Sequence, residues 1–366
     1  TEKYNEYFNP DLESFGVKHI QSTGARGTLD ELFPINDDGV RIDKYDLYPR
    51  SMLNYATQGF VPPGSTFKPV TVASALEEGV VKDGDTYVCK GFETVADYKL
   101  KCHVFSTIGS HGSLTVEQAL MNSCNPYMIH LALEMGNSRF AYYQSLFGFG
   151  KITGIDLPGE TTGIVYGDRM TTIDAACNSF GQTINVNMMQ MMAAYCSIIN
   201  GGMLYQPHIV KRIESANGEV VKEYKANLVR QTITASTSKL LRRYLKNTVE
   251  EGTAKKAGVT GYSVAGKTGT AQKGDRKDNK WIISFIGHAP AENPKFAIYV
   301  VIDEPYGTTG TSGSSADVLT LTHNILEKLL PYMNVYKDAS DEYEDTSSSP
   351  DELTVDGIPA GTASSN

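Results

Sequence analysis

At 366 residues, with 40% hydrophobic and 20% charged side chains, the chain has the composition of a globular protein large enough to bury a substantial core. Its formal charge of −9 gathers at one end: Asp338 to Asn366 carries eight acidic residues and no basic one, so the rest of the chain is close to neutral. That balance, without any Lys/Arg run among aromatics, excludes a nucleic-acid surface, and no stretch nears the roughly 18 apolar residues of a membrane span.

Thr1 to Pro10 has neither the basic start nor the apolar run of a signal peptide. Residues 1–40 contain one clear turn, Asn36-Asp37-Asp38-Gly39, within an irregular apolar pattern, and are expected to be a peripheral or truncated segment. Residues 41–336 form the expected main domain, and 337–366 an acidic tail too poor in apolar side chains to offset its ordering entropy.

Within the main domain, Pro62 to Gly79 reads as a helix with Phe67, Val70, Ala73 and Leu76 on nearly every face, hence buried, and with Pro69 in its first turn. Thr115 can cap a second helix, with Gln118 reaching back, that runs to about Asn122. Pro126 opens a third, ending at Gly136. Ile184 to Ile199, rich in Met and Ala, is a core helix ended by Gly201-Gly202. The period then changes. Tyr262–Gln272, Trp281–His288 and Phe296–Asp303 read as an antiparallel meander, and Ser314–Leu330 as a helix covering it. These elements predict an α/β mixed fold with a mostly antiparallel sheet flanked by helices.

Acyl transfer from a peptide needs a nucleophile, a base, a proton donor for the leaving amine and N–H groups aimed at the oxyanion. Ser65-Thr-Phe-Lys68 puts a hydroxyl and an amine on one face of a buried helix start, where desolvation favours a neutral, basic Lys68. Alone the motif carries little: chance supplies roughly one or two S-x-x-K matches in such a chain. Ser236-Thr-Ser-Lys239 is one of these, read as the N-cap of a solvated helix bearing Arg242, Arg243 and Lys246. Ser123-Cys-Asn125 lies in a tight connection between helices, whereas Ser215-Ala-Asn217 precedes Gly218 in a hairpin turn. Lys267-Thr268-Gly269 sits in a strand whose Gly266 and Gly269 permit close approach of a ligand. The order S-x-x-K, S-x-N, K-T-G, on helix, loop and strand, matches the trio of penicillin-binding proteins and class A β-lactamases.

The wording around the trio, Tyr55-Ala-Thr-Gln-Gly-Phe-Val-Pro-Pro-Gly-Ser-Thr-Phe-Lys68, Gly181-Gln182, Asn200-Gly-Gly202 and Gly266-Lys-Thr-Gly-Thr-Ala-Gln272, resembles class B penicillin-binding proteins over about residues 50–330. Asn54 to Gly79 looks most like the elongation-type members, with division and spore-wall enzymes as alternatives. The resemblance implies the transpeptidase fold shared with serine β-lactamases and a peptidoglycan D,D-transpeptidase that β-lactams acylate, with stem peptides as substrates. It makes Ser65 the nucleophile and Lys68 its base, with Ser123 and Asn125 relaying protons and holding the substrate amide. Lys267, Thr268 and Thr270, beside Gly269, would bind the acceptor or β-lactam carboxylate, and the N–H groups of Ser65 and Thr270 would form the oxyanion hole. It also implies no organic cofactor, a membrane glycosyltransferase partner, and an extracytoplasmic catalytic domain anchored by an N-terminal segment absent from this sequence.

Five cysteines, at 89, 102, 124, 177 and 196, are too few for a disulfide scaffold; Cys177 and Cys196 read as small buried hydrophobes. Cys89, Cys102, His111 and Cys124 crowd the window between the first two motifs and suit tetrahedral zinc, with His103 as a rival ligand. A Cys89–Cys102 disulfide and unlinked thiols are the alternatives, and some class B enzymes resemble this chain in these positions too. A β-lactamase would need a segment to position hydrolytic water, and no E-x-x-L-N run follows Asn125. A β-lactam sensor domain, which is acylated once and signals, is the remaining alternative.

Overall fold

The computed structural model describes residues 53–274, 280–305 and 314–339, together with the backbone of a short antiparallel pair, His19–Ile20 with Ala25–Arg26. The rest of the expected N-terminal segment and the tail beyond Ala339 lie outside the described residues.

A 3-10 turn, Gly64–Phe67, leads into helix α1, Lys68–Glu78, in which Lys68 to Ala75 are all buried. The helix starts later than the expected Pro62 because Gly64 adopts φ +58° and donates its N–H to Gly181 O at 2.9 Å. A left-handed residue cannot continue a right-handed helix. Pro69 falls in the first turn of α1, where its missing N–H forfeits no bond. The buried hydroxyls are satisfied locally: Thr71 Oγ1 donates to Ser179 O at 2.8 Å and Ser74 Oγ to Val70 O at 2.7 Å.

Strands β1 (Thr86–Cys89), β2 (Phe92–Val95), β3 (Tyr98–Lys101) and β4 (Gly112–Thr115) form two nested antiparallel pairs, β1 with β4 and β2 with β3. Helix α2, Val116–Met121, opens on the capping box that the sequence predicts, Thr115 with Gln118. Helix α3, Asn125–Met135, begins after Asn122-Ser123-Cys124. Two further helices, Asn137–Leu146 and Thr172–Asn178, carry no expectation from sequence.

Helix α4, Met188–Ile199, starts four residues after Ile184, because Val186 pairs with Val61 in an extended bridge and Asn187 then caps the helix against Gln190. Helix α5, Ala235–Glu250, corrects the reading of Ser236. Its N-cap is Thr234, Ser236 lies exposed in the first turn, and the far side buries Leu241, Tyr244, Leu245 and Val249. Nor is its polar side simply solvated, since Arg243 pairs with Asp83 at 2.6 Å and Glu117 at 3.3 Å.

The meander comprises β5 (Ala265–Lys273), β6 (Lys280–Ala289) and β7 (Phe296–Asp303), antiparallel in the order β5-β6-β7. Helix α6, Ala316–Tyr332, buries Val318, Thr322, Leu326 and Leu330, one residue per turn, against Ile283 and Phe285 of β6. Ile286 and Ala265 join the larger core built on α1, α3, α4 and α5. The sheet therefore stands between helical layers, as the alternation along β6 requires. Asp338 corrects the expected tail boundary: its carboxylate accepts from Ser263 N at 2.7 Å and its N–H donates to Gly261 O at 3.0 Å. No helix among the described residues is long and apolar enough to cross a membrane.

Candidate active site

Ser65 is half-buried in the 3-10 turn, and its carbonyl accepts the N–H of Lys68 at the start of α1. Lys68 is 0% exposed. Its Nζ donates to Ser123 O at 2.6 Å, Ser123 Oγ at 2.9 Å and Asn125 Oδ1 at 2.7 Å. The first two motifs thus meet at one amine. Its partners are all neutral oxygens, and burial pulls its pKa down to about 8.

The S-x-N loop is built as a helix C-terminus. Ser123 N donates to Leu120 O at 3.2 Å and Cys124 N to Ala119 O at 2.8 Å, the paired bonds of a Schellman motif. The left-handed position of that motif is usually glycine; here it is Ser123, at φ +54°. A side chain at this position costs on the order of 1–2 kcal/mol and aims its hydroxyl at Lys68. Asn125 is oriented in turn by donating Nδ2 to Lys101 O at 3.3 Å.

The third motif reaches the same place through absent side chains. A Cβ on Gly64 would lie 2.6 Å from Thr270 O, and one on Gly269 would lie 2.8 Å from Thr66 Cγ2 and 2.9 Å from Pro63 O. The nucleophile turn therefore packs directly on β5. Gly181 closes the turn from behind: a Cβ there would fall 2.0 Å from Gly64 O, a clash with backbone. Lys267 on β5 is 0% exposed and lies among Thr253 Oγ1, Thr268 O and Thr268 Oγ1, each at 3.4 Å. Burial first, and the neighbouring Lys68 second, push its pKa well below the ordinary lysine value. Among the described residues neither of these buried amines has a carboxylate partner, which leaves them suited to an anionic ligand.

Cys89, Cys102, His111 and Cys124 also converge, with ligand atoms all within 4.8 Å of one another. His111 Nδ1 lies 3.8 Å from Cys89 Sγ and 3.6 Å from Cys102 Sγ. A tetrahedral zinc with ordinary bond lengths spaces S and N ligands by about 3.6 Å, so the donor set fits that metal. Cys89 Sγ accepts the N–H of Gly91 at 3.4 Å. Cys102 accepts backbone N–H groups of Asn125 and Val104, and Cys124 that of Tyr127. The bond from the Cys124 thiol, then His111, holds the Cys102 thiol far below its usual range, while the same bond pushes Cys124 up. His103 stands outside the cluster, with Nε2 donating to Asn122 O at 2.9 Å. No disulfide links any of the five cysteines.

Two residues of this region escape the motifs. Lys101 acts through its carbonyl, which no side-chain pattern reveals, and Thr253 sits beside Lys267 in a connection that the sequence reading passes over.

Residues 30–327 match the family described as the penicillin binding protein transpeptidase domain, and the chain belongs to it. Stage V sporulation protein D of Bacillus subtilis is 40% identical over 279 residues, covering 75% of this chain and 42% of that protein. Peptidoglycan D,D-transpeptidase FtsI of Escherichia coli is 32% identical, covering 79% of this chain and 47% of its own. The chain thus spans about half the length of these relatives. Among solved structures, penicillin binding protein 3 of Mycobacterium tuberculosis, in complex with aztreonam, superposes with a TM-score of 0.71 at 27% identity, covering 83% of this chain and 70% of that one. The transpeptidase domain of penicillin-binding protein 3 from Burkholderia pseudomallei gives 0.68 at 26%, covering 80% and 84%. The fold is that of the penicillin-binding transpeptidases, as the sequence predicts.

Proposed function

We propose that this chain is the catalytic unit of a peptidoglycan D,D-transpeptidase that works through a Ser65 acyl-enzyme and is inhibited when β-lactams acylate the same serine. The observation that carries the reading is the buried Lys68 amine held by Ser123 and Asn125, beside the Ser65 turn and facing Lys267. In the neutral form Lys68 takes the Ser65 proton as Oγ bonds to the carbonyl carbon of the stem-peptide amide. The N–H groups of Ser65 and Thr270 receive the oxyanion. Collapse breaks the C–N bond, and the departing amine takes a proton from Lys68 through Ser123 Oγ. An acceptor amine then gives a proton to neutral Lys68 as its nitrogen bonds to the ester carbon; the bond to Ser65 Oγ breaks, and Oγ takes that proton back. Lys267, Thr268 and Thr270, with Gly269 keeping the strand open, hold the carboxylate of the peptide or β-lactam. Removing Lys68, the general base, should cost roughly 10²–10⁴-fold in rate.

Zinc at Cys89, Cys102, His111 and Cys124 is part of the same proposal. The metal would supply a structural crosslink, and the residues explain why it matters: Cys102 holds the Asn125 N–H, and Cys124 separates Ser123 from Asn125. The sporulation name borne by a relative at 40% identity favours a sporulation role over rod elongation. A membrane anchor and a glycosyltransferase partner belong to the whole protein and follow from family resemblance alone. The test is reconstitution with lipid-linked peptidoglycan precursor and a polymerase. Penicillin-sensitive cross-linked stem peptides are expected; rapid nitrocefin turnover would favour a β-lactamase, and one-time acylation without cross-linking a sensor.

A further inference from the structure

Thr253 lies in the connection after α5 and belongs to none of the three motifs, yet it touches two of the elements that carry them. Its backbone N–H and its Oγ1 both donate to Met121 O, at 3.2 Å each, two residues before Ser123. The same Oγ1 lies 3.4 Å from Lys267 Nζ and 3.3 Å from Thr268 Oγ1. A second feature fixes this contact. Gly252 passes so close to α2 that a Cβ there would lie 2.8 Å from Met121 O. The approach is therefore built into the backbone.

A hydroxyl has one hydrogen to give and two lone pairs. With its hydrogen on Met121 O, Thr253 can accept from both Lys267 and Thr268, which uses its full capacity. The Thr268 hydrogen then points at Thr253 and away from any ligand. When a carboxylate arrives, Thr253 can rotate its hydrogen to Thr268 Oγ1, which frees the Thr268 hydrogen for the anion. Met121 O stays satisfied, because the Thr253 N–H remains on it. The change needs only two hydroxyl rotations and no movement of heavy atoms.

We infer that Thr253 is a positioning residue for carboxylate recognition, setting the direction of the Thr268 hydroxyl and the seat of Lys267. The inference rests on the acyl-transfer reading above. The experiment compares second-order acylation by benzylpenicillin and by its methyl ester in the wild type, Thr253→Val and Thr253→Ser. Thr253→Val should slow benzylpenicillin by about 5- to 10-fold, the effect of one neutral hydrogen bond such as that between Thr253 and Thr268, and leave the ester within about twofold. Thr253→Ser should restore the wild-type ratio. Equal losses with both ligands, or none with either, would overturn the role of Thr253. Should Thr253→Val not fold, Thr253→Ala against Thr253→Ser gives the same comparison. A wild-type chain that benzylpenicillin fails to acylate would overturn the acyl-transfer reading itself.

Discussion

Lys68 is buried among three oxygens, and its neutral form is the one that can take a proton from Ser65. With a pKa of about 8 in place of 10.5, it is half neutral near pH 8. Acylation should therefore rise with pH to a plateau above that value, and fall about tenfold per pH unit below it. Stopped-flow acylation across pH 6–10 tests this; a rate flat through the window would remove Lys68 as the base. The three motifs were legible in the sequence because their chemistry demands particular side chains at fixed spacings. The strain at Ser123 was not, since serine gives no sign that it occupies a glycine-like position until the α2 terminus is seen. Thr253 was hidden because its contact with Met121 spans 132 residues and engages a carbonyl.

Among the elements, the nested pairs β1–β4 and β2–β3 deserve their place beside α3 because they deliver Cys89, Cys102 and His111 to Cys124. Ligands brought together only by folding bind metal in the native state alone, so occupancy stabilises that state. Protein purified without chelator should carry about one zinc, and stripping it should lower the Tm and slow acylation of Ser65. Metal analysis and calorimetry check both. Zinc absent, or a Cys89–Cys102 disulfide found by non-reducing peptide mapping, would remove the site. Helix ends with capping residues were legible, as Thr115 with Gln118 illustrates. The late starts of α1 and α4 were not, because Gly64 bonds Gly181 and Val186 bridges Val61, partners more than a hundred residues apart.

Across the whole molecule, the sheet is tied to the helical core by a buried polar pair: Tyr195 of α4 donates to His288 Nδ1 of β6 at 2.8 Å, and His288 Nε2 donates to Ala291 O at 3.1 Å. That arrangement requires a neutral imidazole, and burial lowers its pKa from 6.5 to about 4. The unfolded chain binds this proton at higher pH than the folded one, so stability should be full above pH 6.5 and fall as pH drops toward 4. His288→Gln should flatten that part of the Tm–pH curve; an unchanged slope would show that other groups set it. The fold class was legible from the change of hydrophobic period near Tyr262. The end of the docked chain was not, because Asp338 looks like tail until Ser263 is placed beside it.

Acyl transfer by this chain requires a single covalent bond to Ser65. Intact mass after benzylpenicillin treatment, followed by peptide mapping, should find one adduct, on the peptide holding Ser65, and none in a folded Ser65→Ala variant. An adduct on Ser236, or one that survives Ser65→Ala, would contradict it.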